Sequence, residues 1–168
     1  LLDIARSRNS GKSPSQSRKV SQYWTDEHVD LVGVIGEFIV AEATGASIDD
    51  ASYGAGGDNG VDMCIHGIPV AVKTNHRPGG WLLLERWRDV ARVKALVLVT
   101  GSCRPYLTHC DCRDGIETQW RVAGCVSVQR FKAKSERANW GYGPRRYMQP
   151  SALVDISQIQ SEVLRVVT

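Results

Sequence analysis

The first strong pattern in the chain is a run of apolar residues at helical spacing. Their intervals of three and four residues predict an amphipathic helix from about Asp26 to Ala43, with Glu37 near its middle. Thr25 is a suitable N-cap, and Gly45 is a natural stop. The apolar positions are Val29, Val32, Ile35, Phe38 and Ile39.

Further along, short apolar or alternating segments predict strands at 61–66, 69–74, 81–85, 95–100 and 120–128. The compact HGIP turn joins the first two strands into a hairpin. Three later segments are predicted to be a helix at 129–137, a loop at 138–147 and an amphipathic stretch at 151–166. This order predicts one α/β domain over residues 23–168, with a central mixed sheet flanked by helices.

Antiparallel pairing around the HGIP turn predicts which residues of the hairpin face each other. If position 66 lies opposite 69, Asp62 lies opposite Lys73, with Cβ atoms ~5 Å apart. A loop of odd length would break this register. Asp62, Ala71 and Lys73 are then expected to project from one face of the sheet, and Val61, Met63, Val70 and Val72 from the other.

An aspartate and a lysine at this separation, with a glutamate on a preceding helix, suit phosphodiester hydrolysis. Carboxylate oxygens bind a hard cation such as Mg²⁺, and the ion can activate a water molecule. The lysine can position that water or neutralise the developing anion. An Asp–Lys pair on an exposed sheet face is also a common ion pair worth ~0.2–1 kcal/mol, so geometry alone leaves both interpretations open.

Three segments in this order, GEFIVAEATG, GGDNGVDMCIHG and VAVKT, resemble the PD-(D/E)XK (restriction-endonuclease-like) nuclease superfamily. The similarity is greatest to phage and bacterial members that read roughly GExxA, GxD and (D/E)xKT. It covers about residues 33–128, with a looser similarity in RRYMQPSALVDI. The resemblance implies a restriction-endonuclease-like core and a Mg²⁺- or Mn²⁺-dependent endonuclease acting on DNA.

The resemblance also implies roles for single residues of this chain. Asp62 is the main metal-binding aspartate, and the main-chain carbonyl of Val72 is a further metal ligand. Glu37 binds the metal directly or supports a ligand that does, and Lys73 is the catalytic lysine. Ala71 stands where the family has its second carboxylate, and there the chain departs from the pattern.

Three explanations of Ala71 are open. The carboxylate was replaced deliberately to trap an intact substrate, or it migrated with Glu37 or Glu42 compensating, or catalysis was lost and binding kept. Alanine is the usual knock-out residue and the surrounding motif is intact, which favours deliberate replacement. The chain as written is expected to bind DNA and to cleave it little or not at all, because fewer anionic ligands weaken affinity for a hard cation.

Cationic residues gather in two segments outside this centre. The serine-rich arm at 1–22 has a net charge of +4, whereas the whole chain has +3. Such an arm attracts nucleic acid phosphates, or it is simply a solvated tail. The segment 130–147 interleaves cations with Trp140, Tyr142 and Tyr147, which suits backbone contact and base stacking or else a solvated loop. The predicted DNA-binding residues are Arg6, Arg8, Lys12, Arg18, Lys19, His76, Arg77, Lys132, Lys134, Arg137, Arg145 and Arg146, with Trp81 close to the catalytic strand.

The remaining features limit the alternatives. The five cysteines lack the C-x2-4-C pairs of structural zinc, and without a recognisable signal peptide reduced thiols are expected in place of disulfides. Asp58 in GGDNG fits turn chemistry better than metal binding. No apolar run approaches ~18 residues and no secretory signal is recognisable, so a cytoplasmic protein without membrane contact is expected. The rival functions are a non-catalytic DNA-binding module on the same fold and an enzyme acting on another phosphorylated substrate. Action as a homodimer is left open.

Overall fold

The computed structural model describes residues 26–48, 60–85, 90–102, 120–139 and 144–165. Within these ranges the chain is of the α/β class, as predicted, and none of the helices is long and apolar enough to cross a membrane. The basic arm and the GGDNG turn through Asn59 lie outside the described residues, as do Thr25, Trp140 and Tyr142. The elements are α1 Asp26–Thr44, β1 Met63–Ile65, β2 Ile68–Asn75, β3 Leu82–Leu84, β4 Ala95–Thr100, β5 Arg121–Ser127, α2 Val128–Lys134, β6 Glu136–Asn139, β7 Pro144–Met148 and α3 Ile159–Leu164, with 3-10 turns at Pro150–Ala152 and Ile156–Gln158.

The central sheet has four strands in the order β1-β2-β4-β5. β2 and β4 are parallel, and the other neighbours are antiparallel, so the predicted mixed sheet is confirmed. β4 is buried at every position, as its uninterrupted apolar sequence predicts for a strand covered on both faces. A second, antiparallel sheet has the order β3-β7-β6, and the sequence pattern did not predict it.

The two faces of the central sheet carry two separate cores. On one face α1 and α3 pack over Val70, Val72 and Val97. On the other face the second sheet and α2 pack over Leu96 and Leu98. The molecule is therefore layered, with helices on one side of the central sheet and the small sheet with α2 on the other.

The predicted register of the β1–β2 hairpin is wrong, because the two-residue loop lies one position earlier than expected. Ile65 pairs with Ile68, and Met63 faces Val70 instead of Val72, a shift of two residues along β2. The two loop residues are His66 and Gly67, which both have positive φ angles of 50° and 77°. Positive φ at both central positions is the geometry of a type I′ turn, whose twist suits a two-residue hairpin.

The prediction of a loop at 138–147 is wrong for the part of this segment that the structure describes, residues 138–139 and 144–147. Glu136–Asn139 and Pro144–Met148 are paired antiparallel strands, and β7 also pairs with β3. The preceding helix ends at Lys134, earlier than predicted, because the Ser135 backbone is extended and its N–H bonds to the carbonyl of Phe131. The C-terminal amphipathic stretch contains a shorter helix than expected, Ile159–Leu164, preceded by two 3-10 turns.

Candidate functional site

Asp62 lies at the edge of the central sheet, immediately before β1. Its carboxylate Oδ2 accepts a hydrogen bond of 2.6 Å from the backbone N–H of Val72. Its own N–H donates to the carbonyl of Val70 at 2.9 Å. The side chain therefore continues the hairpin ladder by one bond beyond the end of β1, and this fixes the carboxylate against β2.

The alternation of side chains changes at this point. Asp62 bonds to Val70, which Met63 already faces, so two successive residues lie against one. This is the arrangement of a β-bulge, which locally resets the direction of the side chains. The prediction that Val61 shares the face of Met63 is wrong, because Val61 packs with the Ala71 cluster on the other face. Asp62 also does not lie opposite Lys73, because its N–H bonds to the carbonyl of Val70, three residues earlier on β2.

The main-chain carbonyl of Val72 lies on the same edge of β2 as the Asp62 carboxylate. In a strand, the N–H and C=O of one residue point to the same side, and the next residue points to the other. The N–H of Val72 is directed at Asp62, whereas Pro69 and Asn75 bond on the β4 side, to Lys94 and Gly101. The two oxygen ligands that the family resemblance implies, the Asp62 carboxylate and the Val72 carbonyl, therefore lie on the same edge of β2.

Ala71 is 0% exposed and belongs to the apolar core beneath the second sheet. Lys73 follows two residues later on the same strand, so both side chains lie on that face, as predicted. Lys73 itself is half-buried. A longer acidic side chain at position 71 would enter an environment now occupied by Leu82, Leu96 and Leu98.

Glu37 lies in the middle of α1 and is 6% exposed. The helix packs closely on β2 at the preceding residue, Gly36, since a Cβ there would come within 1.9 Å of the Thr74 Oγ1. Thr74 shares the face of Val72 by alternation, so α1 covers the face opposite to Lys73. Glu37, Asp62 and Lys73 thus belong to the helix face, the edge and the opposite face of the sheet, respectively.

The described ranges contain no group of three or more His, Cys, Asp or Glu side chains arranged to hold a metal ion. The oxygen donors at the β2 edge are of the type that Mg²⁺ and Mn²⁺ take. In proteins Mg²⁺ is commonly held by one or two carboxylates together with water and substrate phosphates. The family resemblance expects a second carboxylate at position 71, where this chain has alanine.

The predicted DNA-binding cations that are described have differing surroundings. Arg77, Lys132, Lys134 and Arg137 are exposed. Arg145 forms a 2.7 Å ion pair with Glu85. The predicted residues Arg6, Arg8, Lys12, Arg18 and Lys19 lie outside the described residues.

Arg146 has a structural role at the end of α2. Its Nη1 donates to the Ser135 hydroxyl at 3.1 Å and, at 3.4 Å, to the carbonyls of Ser135 and Lys132. A cation near the C-terminal carbonyls of a helix is favourable. Arg146 also lies directly opposite Arg137 in the β6–β7 pair, and like charges in that position repel.

A polar residue that the sequence pattern did not single out organises the turn after β2. The Asn75 side chain donates to the Trp81 carbonyl at 3.1 Å and accepts from the Arg77 N–H at 3.1 Å. A Cβ on Gly80 would come within 2.2 Å of the Asn75 side chain, so only glycine fits beside it. The available signal was an amide residue at a strand end before the turn sequence HRPGG, which is a usual position for side chain-to-backbone bonds.

Trp81 and Tyr147 stack on each other with ring centroids 4.8 Å apart and an interplanar angle of 20°. Trp81 is 38% exposed, and the Tyr147 hydroxyl donates to the Glu136 carboxylate. This bond raises the pKa of Tyr147. At His76, partial burial and then the charge of Arg77 lower the pKa, so the imidazole is neutral at pH 7.

A second polar cluster, distant in sequence, joins β5, α2 and α3. The buried Glu162 Oε1 accepts bonds of 3.2 Å from both the N–H and the hydroxyl of Ser127. Its Oε2 accepts a 3.1 Å bond from Arg130, and the Ser127 hydroxyl also caps α2. Nearby Cys125 is buried, which raises the pKa of its thiol to about 12, with Glu162 and Asp155 adding to the effect.

Comparison of the chain with protein-family models, with curated proteins and with solved structures finds no match.

Proposed function

We propose that this chain carries the site of a metal-dependent deoxyribonuclease, a Mg²⁺- or Mn²⁺-dependent hydrolase of DNA phosphodiester bonds, that Ala71 impairs. On this proposal the α/β core is of the restriction-endonuclease-like type. The observation that most supports this proposal is the hydrogen bond from Val72 N–H to the Asp62 carboxylate. Val72 lies on β2, the strand that also carries Ala71 and Lys73. The two candidate oxygen ligands and the lysine thus come from two adjacent segments.

The position of Asp62 suits a metal ligand. Ionised carboxylates supply the oxygen ligands that Mg²⁺ and Mn²⁺ prefer. The bond from Val72 holds the acid in a fixed orientation before any ion arrives, which lowers the entropy lost on binding. The carbonyl of Val72 supplies a neutral oxygen on the same edge.

Lys73 supplies the positive charge that a phosphodiester needs. A half-buried ammonium group interacts with a phosphate more strongly than an exposed one, because less water screens it. The Ala71 position on the same face is where an acid would give the metal a second anionic ligand. Loss of that acid also removes a repulsion toward the DNA phosphate, so binding is expected to outlast cleavage.

A second candidate is a non-catalytic DNA-binding module on the same fold. The observation that favours it is the complete burial of Ala71 among apolar side chains. A small apolar residue fits that environment, whereas an unpaired carboxylate there is costly. In this case the site binds a phosphate through Lys73 and has no hydrolytic activity.

Restoring the acid separates these two candidates. We expect Ala71→Glu or Ala71→Asp to cleave plasmid DNA with Mg²⁺ or Mn²⁺, while the matched neutral variant Ala71→Gln remains inactive. Lys73→Ala in the Ala71→Glu background should abolish that cleavage. Tight DNA binding by folded revertants that do not cut would support the module instead, and folding is checked by circular dichroism.

DNA binding itself is tested by its dependence on salt. Neutralising phosphates releases counterions, so the affinity of the full chain for DNA should fall linearly with salt on a logarithmic plot. Deleting residues 1–19 removes the five cations of the arm and should weaken binding and flatten that slope. A chain that binds no DNA at low salt would contradict both candidate functions.

A further inference from the structure

Trp81 is a large apolar side chain that is both exposed and held in place. Its carbonyl accepts from Asn75, and its ring stacks on Tyr147, whose hydroxyl is bonded in turn to Glu136. Because Asn75 fixes the main chain of Trp81 and Tyr147 packs on its ring, this exposed aromatic side chain loses little conformational freedom when a ligand arrives. Rigid exposed aromatics of this kind are typical of binding surfaces.

The surroundings of this pair favour an anionic partner with flat rings. Asn75 holds the Arg77 N–H in the same turn as Trp81, and the Arg77 side chain is exposed. Arg145 lies on the same face of the second sheet as Tyr147, but its charge is balanced there by Glu85. A nucleotide offers both a base to stack on the rings and a phosphate for Arg77.

The turn that carries Trp81 begins near the proposed site. Asn75 follows Lys73 by two residues on β2, so both side chains project from the same face of the central sheet. At ~3.3 Å per residue the two Cα atoms are ~7 Å apart, a distance comparable to two stacked base steps. A DNA strand bound at Lys73 would therefore pass close to the turn that begins at Asn75 and carries Trp81.

We propose that Trp81 and Tyr147 form a stacking platform for an unpaired base of DNA, and that the proposed nuclease site therefore prefers single-stranded, frayed or branched DNA to intact duplex. This inference rests on the proposed function. Inside a duplex both faces of each base are covered by its neighbours, so only an unpaired or terminal base can stack on a protein ring. Asn75 is the residue that positions the platform.

Binding of a labelled oligothymidine and of a labelled duplex, measured by fluorescence anisotropy in EDTA, tests the platform. We expect the full chain to bind the single strand more tightly. Trp81→Ala should weaken single-strand binding by about tenfold and duplex binding by less than about twofold, the loss typical of one stacked base. Trp81→Phe should retain most of the affinity, and Leu164→Ala, at another exposed apolar residue, should change neither.

Further variants make the result independent of one substitution. Tyr147→Leu removes the stacking partner and Asn75→Ala releases the turn, so both should reduce single-strand binding selectively. Thermal unfolding of each variant shows that it is folded. Equal losses on both DNAs, an unchanged single-strand affinity in folded variants, or tighter binding of duplex would overturn the platform while leaving the proposed function intact. Absence of binding to either DNA would instead refute the proposed function, and the platform with it.

Discussion

Asp62 and Glu162 both accept a hydrogen bond from a main-chain amide of the central sheet, in different surroundings. Glu162 is enclosed in the corner of β5, α2 and α3, where Ser127 and Arg130 supply its partners. Asp62 lies at the edge of β2 beyond the end of β1, and its carboxylate accepts a hydrogen bond from the amide of Val72. The Glu162 carboxylate joins three elements, whereas the Asp62 carboxylate extends one hairpin.

The difference shows what each acid contributes. A buried carboxylate surrounded by donors is costly to disturb, because each donor loses its partner when the acid is removed. The Asp62 carboxylate is oriented by a main-chain amide at the edge of the sheet, where we propose that a ligand binds. We therefore expect the Glu162 corner to determine stability and the Asp62 edge to determine function.

The largest effect on stability is expected at the Glu162 corner. Glu162→Ala leaves the Ser127 N–H and hydroxyl and the Arg130 guanidinium without that acceptor, so the free energy of unfolding should fall by ~2–4 kcal/mol. The melting temperature should then drop by roughly 5–15 °C. The exposed Gln160→Ala on the same helix is the matched control, with a change within ~0.5 kcal/mol. Equal stabilities of the two variants would show that the corner is not the stabilising region.

A pair of substitutions at Asp62 should separate its structural role from its charge. Asp62→Ala removes the acceptor for Val72 N–H and should cost ~1.5–3 kcal/mol, because a hydrogen bond to a charged group is lost. Asp62→Asn retains an acceptor oxygen and should cost less than ~1 kcal/mol. In the Ala71→Glu background both should lose metal-dependent cleavage. Urea unfolding measures the first difference, and a larger loss for Asn than for Ala would contradict the bond.

Two glycines of α1 measure how closely the helix must approach β2. Gly36→Ala places a Cβ 1.9 Å from Thr74 Oγ1, so it should destabilise the protein by ~1–3 kcal/mol through overpacking. Gly33→Ala meets nothing within 4 Å and should stabilise it by ~0.5–1 kcal/mol through helix propensity. Thr74→Ala combined with Gly36→Ala should recover part of the loss. The same sign of change at both glycines would refute the close contact.

The smallest effect concerns the thiols of the two regions. Cys125, in the closed corner, has a pKa raised from 9.0 to about 12, and Cys64, on β1, is exposed. Only the thiolate is nucleophilic, so the reactive fraction of Cys125 near pH 8 is about a thousandfold below that of an ordinary thiol. Iodoacetamide should therefore label Cys64 in the native protein and Cys125 only after unfolding, as peptide mass spectrometry would show. Prompt native labelling of Cys125 would mean that the corner opens.

Local patterns were enough to predict part of the fold. The helical period of α1 and the apolar run of β4 predicted both elements, because burial leaves a direct periodic signal. The second sheet could not be predicted, since ERAN and PRRYM show no alternation and β7 is stabilised by partners on both sides. Strand formation there is a tertiary effect that propensity does not record.

The sequence motif proposes the residues of the candidate site but does not predict their geometry. The sequence motif indicated Asp62 and Lys73, whereas the register depends on His66 adopting a positive φ, which is uncommon outside glycine. The bulge at Asp62 and Met63 leaves no periodic signal either. The corner around Glu162 was missed because its bond to Ser127 spans 35 residues. Asn75 was missed because its partners become visible only once the turn is built.

The completely buried strand β4 is a site at risk of aggregation before the chain has folded. The sequence ALVLVT has high β-propensity, no charge and no proline or glycine, which is the composition of a segment prone to cross-β aggregation. In the native sheet both of its edges are occupied, by β2 and by β5. In a nascent chain whose β5 has not yet been synthesised, one edge of β4 remains open to pairing with other molecules. The exposed cations Arg92 and Lys94 directly before the strand are in the position of gatekeepers, which oppose self-association by charge repulsion until the sheet closes.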